Sequence, residues 1–222
     1  MHQKTHPIAL GLVLILTAFL PSICSAQTEA DNLTQEDYEA MLALNKMNVY
    51  KFPVKIPEDQ KCMVVLYKQE YDRTGMIEDE NIFGSHSPHR KVVDRQLVLD
   101  DDGEPVLTPL DGIRIITKEE GRDFALGFKI GEFEIPSMPL KIDSIYALKH
   151  YARSFSLPDE FPIGSEIPLF FIGSSWNATD ISGQTSITKF CIEEEVSPDF
   201  SDEQFRKMPH YIVFGIRIIE QD

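Results

Sequence analysis

Apolar and polar positions change rhythm several times along the 222 residues. Ile8 to Leu20 is a nearly continuous apolar run, broken only at Gly11 and Thr17. From Thr34 the spacing turns helical. Tyr38, Met41, Leu42 and Leu44 fall on one side, Thr34 is placed to cap, and Glu36 and Asp37 occupy the first turn. From residue 49 the period becomes two, with Tyr50, Phe52, Val54 and Ile56 alternating against Val49, Lys51, Pro53 and Lys55. Proline cannot donate to a ladder, so Pro53 predicts an edge strand.

Further strands are predicted downstream. Cys62 to Tyr71 is apolar on both faces at first and more polar later. Val93, Leu97 and Leu99 alternate with Asp94, Gln96 and Val98, and an acidic turn follows from Asp100 to Pro105. Ile113 to Thr117 is a short apolar strand. Phe124, Leu126, Phe128 and Ile130 alternate cleanly, and the phase then slips to Phe133 and Ile135 across Gly131, which predicts a bulge or a tight turn. Strands are also predicted over residues 167–172, 185–194 and 209–219, the last preceded by a short helix capped near Ser201 and Asp202. Residues 143–155 tolerate a strand, but Ala147, Leu148, Lys149, Ala152 and Arg153 favour helix. Eight or nine short strands punctuated by Pro and Gly predict a mainly β chain. The expected form is an antiparallel sandwich or barrel-like sheet, with an N-terminal helix and one or two short helices.

The opening apolar run is shorter than the roughly 20 residues of a membrane span. Lys4 precedes it, Pro21 and Ser22 break it, and Cys24-Ser25-Ala26 offers small residues for cleavage. That order predicts a signal peptide at 1–26, a helical segment at 27–48 and one β-rich domain at 49–222. Export to the periplasm, the cell surface or the medium follows, with no membrane span after cleavage. Lipidation at Cys24 is the alternative, and bulky Ile23 opposes it. Lys and Arg number 21 against 36 Asp and Glu, a formal net charge of −15. Such a chain repels polyanions, so nucleic acid and anionic membrane surfaces are not expected partners.

This layout of leader, helical segment and acidic β-rich body resembles small exported domains of unknown function that are common in Gram-negative gut commensals. The resemblance is one of architecture and length and implies no activity.

Candidate chemistry is sparse, and no cofactor motif is present. Cys62 and Cys191 form an even pair that an oxidising compartment would allow to bond; two buried reduced thiols are the alternative. Asp100, Asp102 and Glu104 supply oxygens for a cation such as calcium, yet Asp-Gly is also an ordinary hairpin pair. His86 and His89 lack a flanking ligand that would complete a metal set, and Pro88 between them reads as loop. Gly173-Ser174-Ser175-Trp176 is not a nucleophile elbow, because Asn177 stands where the second glycine belongs. The segment carrying Ser175, Trp176, Asn177 and Asp180 sets the sole tryptophan among hydrogen-bonding side chains, as a sugar-binding loop would; burial of Trp176 as a core anchor is the other reading. Glu193, Glu194 and Glu195 read as a solvated acidic rim. The sequence therefore favours a non-catalytic exported binding module for a glycan or an envelope protein. A small carboxylate-based hydrolase and a surface-assembly component are the alternatives.

Overall fold

The computed structural model describes residues 34–57, 59–120, 123–131, 133–140, 150–190 and 196–221. The leader, residues 143–149, Cys191 and the run 193–195 lie outside them. The chain divides between Lys46 and Met47 into two units. In the first, α1 (Gln35–Leu44) begins as its sequence dictates. Thr34 Oγ1 accepts from the Asp37 amide at 3.2 Å, and Asp37 Oδ2 accepts from the Thr34 amide at 2.8 Å. This reciprocal box satisfies two otherwise orphaned donors. The Thr34 hydroxyl, also donating to Asp37 at 2.7 Å, holds that carboxyl below its ordinary value. None of the helix residues is buried.

The second unit contains β1 (Met47–Phe52), β2 (Cys62–Asp72), β3 (Gly75–Ser87), β4 (His89–Arg90), β5 (Val92–Val93), β6 (Gln96–Leu97), β7 (Leu107–Thr108), β8 (Ile113–Glu120), β9 (Asp123–Ile130), β10 (Phe133–Leu140), β11 (His150–Ser154), β12 (Glu166–Ser174), β13 (Trp176–Thr179), β14 (Thr185–Thr188), α2 (Glu203–Lys207) and β15 (His210–Glu220). Two sheets dominate, ordered β1-β8-β9-β10 and β11-β12-β15-β2-β3, with two-stranded pairs β13-β14, β4-β7 and β5-β6. Every ladder is antiparallel and neither large sheet closes into a barrel. The chain is therefore mainly β, with two helices among the described residues. As expected, β1 is an edge strand, but it ends at Phe52, and Pro53 to Ile56 lie beyond it.

Alternation decides what the four-stranded sheet buries. Phe52, Ile113 and Ile130 lie in one register row, and Tyr50, Ile115 and Phe128 in the next. They join Val64, Leu66, Phe170, Phe214 and Ile216 of the five-stranded sheet in one cluster. Tyr50 meets Phe170 at 4.6 Å between ring centroids, and Phe128 meets Phe214 at 5.5 Å. The opposite face of β2, β12 and β15 is covered too. Tyr67, Phe171, Val213 and Tyr211 form a second cluster there with Phe155, Trp176, Phe190 and Phe205. That double cover is why β12 is buried at every position after Glu166 and shows no alternation.

The departures from expectation have local causes. The strand expected through Val93, Leu97 and Leu99 is instead the hairpin β5-β6. Asp94 (φ 50°) and Arg95 (φ 66°) form its two-residue turn, and all three apolar side chains stay exposed. Residues 150–154 are strand β11, so the helix expected over 143–155 does not extend there. Pairing to β12 overrides the propensity of Ala152 and Arg153. Strand β3 went unforeseen because its first seven residues are all exposed and carry no alternation; backbone pairing to β2 forms it. The expected loop at His86 and His89 is strand on both sides of Pro88.

Arg217 ties four strands of the five-stranded sheet together, its own β15 with β12, β3 and β2. Its Nε donates to Glu166 Oε2 at 2.7 Å, Nη1 to Asn81 at 2.6 Å and Nη2 to Asp79 at 2.7 Å, while the guanidinium lies 4.6 Å from the Tyr67 ring centroid. Arg217→Lys keeps the charge and loses the fork, so urea unfolding should show a loss of about 1–2 kcal/mol, discounted for partial exposure. An unchanged midpoint would reduce the network to surface decoration.

Candidate functional site

The residues singled out by sequence turn out to hold turns and core. Trp176 is 5% exposed within the second cluster, and Ser175 is 2% exposed. Asn177 and Asp180 are exposed. Asp180 Oδ1 accepts from Ser182 N (2.8 Å), Ser182 Oγ (2.6 Å) and Gln184 N (2.9 Å), closing the β13-β14 turn with Gly183 at φ 82°. Asp100 builds the same device. Its Oδ1 accepts from Asp102 N (3.0 Å) and Glu104 N (2.9 Å), with Gly103 at φ 82°. In both segments an Asp caps the turn and a Gly three residues later takes the left-handed conformation that a side chain would strain. The Asp100 carboxylate is thus committed to backbone amides. Among the described residues no group of three or more His, Cys, Asp or Glu side chains is placed to hold a metal ion. Cys62 is buried at the start of β2, and burial pushes its thiol up; its candidate partner Cys191 lies outside the described residues.

The Ser182 hydroxyl holds the Asp180 carboxyl below its ordinary value, and Thr74 and Ser201 do the same for Asp72 and Asp199. A depressed carboxylate contributes stability above its unfolded-state pKa and loses it as pH falls through the folded one. Thermal melts should therefore gain nothing from these groups between pH 7 and 5, and should drop progressively below the ordinary aspartate value of 3.8. Asp180→Ala should flatten that acid limb, and an unaltered limb would remove Asp180 from the account.

A different place gathers unused charge. Lys51 on β1 lies opposite Arg114 on β8, and Arg114 lies opposite Lys129 on β9. Each sits between two inward-facing apolar residues, so all three side chains leave the same outer face of the sheet. Like charges directly opposite one another in a sheet are destabilising. None of the ion pairs formed among the described residues involves these three, whereas Lys68, Lys118 and Arg217 all have acidic partners. The three cations line a cleft of about 410 Å³ together with His89, Thr108 and Asp111. His89 is 7% exposed, and its Nδ1 is buried with no hydrogen-bond partner.

The family model described as a domain of unknown function (DUF5041) matches residues 23–220. The chain belongs to the DUF5041 family. No curated protein and no solved structure matches it. The cleft of this DUF5041 domain also depends on Gly131, in the turn after β9 at φ 56°. A Cβ there would stand 2.9 Å from His89 Cε1 and 3.4 Å from Leu110 Cδ1. Gly131 thus lets the imidazole pack against the turn that closes one wall. In the sequence His89 and Gly131 stand out singly, but the cationic row does not. Its trace is an apolar-cation-apolar triplet at Tyr50-Lys51-Phe52, Ile113-Arg114-Ile115 and Phe128-Lys129-Ile130, a pattern that recurs elsewhere in the chain, as at Ile216-Arg217-Ile218. Only the register shows that the three middle residues are neighbours.

Proposed function

We propose that this chain is the non-catalytic binding domain of an exported protein, an antiparallel sandwich that takes an anionic ligand in the cleft on its four-stranded sheet. The observation that carries the reading is the row Lys51, Arg114 and Lys129, three cations in opposed register without acidic partners among the described residues, on a chain of net charge −15. Glu134 lies across from Lys129 and Asp111 lines the cleft. Among the described residues neither forms an ion pair with the row, so the three cations keep a mutual repulsion that an anion would relieve. Buried His89 adds a polar group that the fold leaves unsatisfied. The segmented leader supports export, and an oxidising destination would favour a bond between Cys62 and Cys191.

Thermal-shift and calorimetric titration with carboxylated, sulfated and neutral glycans tests the reading. Acidic ligands should raise the melting temperature and bind less tightly as salt is raised, because the contacts are between exposed charges. Equal binding of neutral and acidic sugars, insensitive to salt, would remove the cleft from the function.

A further inference from the structure

The shape of the charge, beyond its sign, narrows the ligand. We infer that the cleft binds a linear acidic polysaccharide bearing one carboxylate per sugar, read across the strands; this rests on the anionic-ligand reading above. Lys51, Arg114 and Lys129 project from three adjacent strands at opposed positions. Neighbouring strands lie roughly 4.8 Å apart, so the three side chains leave the sheet in a line about 10 Å long. A pyranose advances its chain by a distance close to one strand spacing. Three successive uronates therefore span about the length of the row, and the long side chains of Lys51, Arg114 and Lys129 reach carboxylates that the glycosidic twist turns to different sides. A single small anion meets this row only by drawing three like charges together.

The neighbouring row on the same face has a different chemistry that a sugar also uses. Val49, Ile116 and Gly127 are paired in register directly beside the cations. Ile116, Ala125 and Gly127 line a trough of about 390 Å³ whose charged lining is Arg114, Lys118 and Lys129 together with Glu120 and Glu134. A Cβ on Gly127 would touch Ile116 Cβ at 3.8 Å and the Ile135 carbonyl oxygen at 3.9 Å, ordinary contact distances, so the missing side chain only lowers the floor of the trough. An apolar strip beside a cation row matches a uronate, whose ring presents C–H groups on one face and a carboxylate at one edge. Thr108 and Asp111 stand at the cleft wall for the hydroxyls. The row has an open end and a closed end. Lys51 lies on edge strand β1, while Lys129 is followed across β10 by Glu134, which repels a fourth carboxylate. The site is therefore three sugars long.

The test is isothermal titration of the full mature chain with galacturonate oligomers of one to five residues, alongside triglutamate and inorganic phosphate. Affinity is expected to rise at least tenfold from the monomer to the trimer and then level off. Lys51→Ala, an exposed position whose loss leaves circular dichroism unchanged, should move the plateau to the dimer. If monomer and trimer bind alike, or triglutamate and phosphate match the trimer, the anionic site stands and the acidic-glycan inference falls. If no anion binds in any of these titrations, the anionic-ligand reading falls with it.

Discussion

Gly215→Ala is expected to destabilise the β-rich unit by about 3 kcal/mol or more, at the top of the range for overpacking a core. Gly215 lies between Pro168 on β12 and Tyr67 on β2 in the middle of the five-stranded sheet. An added Cβ would collide with the Tyr67 ring and stand 2.5 Å from the Ile167 carbonyl oxygen. Neither obstacle gives way cheaply. Tyr67 is 1% exposed and carries Arg217 over its ring, and a backbone carbonyl moves only with its strand. The register of β12 already shifts between Pro168 and Phe170. Urea unfolding measures the effect directly, and a midpoint within error of the parent would show that the strands separate more easily than this packing allows.

Arg114→Glu should move stability and binding in opposite directions. The reversal replaces two repulsive cross-strand neighbours, Lys51 and Lys129, by two attractive ones. At a few tenths to 1 kcal/mol for each pair, the free protein should gain about 1 kcal/mol, or about 2–4 °C in melting temperature for a domain of this size. Affinity for an acidic ligand should fall at least tenfold, since an anion now faces the centre of the row. Sites kept for function at a cost in stability behave in this way. Loss of both stability and affinity would make Arg114 a structural residue.

How much of this was legible beforehand depends on where each signal resides. Local chemistry was readable. The Thr34 cap, the turn at Gly131, the end of β1 before Pro53 and the alternation of β9 all follow from side chains acting on their own backbone. Strand β3 left no such trace, because an exposed edge is held by hydrogen bonds to β2 that any sequence can make. The segment from Val93 to Leu99 misled for the opposite reason. Its alternation is real, but left-handed Asp94 and Arg95 fold it back on itself before it meets a core. The candidate loop around Trp176 drew notice as an aromatic among polar residues. In the fold the ring is buried, and the polar neighbour Asp180 closes a turn. The cationic row is a product of register alone, since its members are 63 and 15 positions apart in a chain whose pairing no single segment encodes.

The most direct measurement is chemical-shift mapping of the isotopically labelled protein during titration with a uronate trisaccharide. The largest perturbations should fall on Lys51, Arg114 and Lys129 and on the imidazole of His89, with Ile116 and Gly127 following and Arg114→Glu abolishing them. Perturbations centred instead on the β13-β14 hairpin around Asn177, or none at all at saturating ligand, would contradict the assignment of the cleft as the binding site.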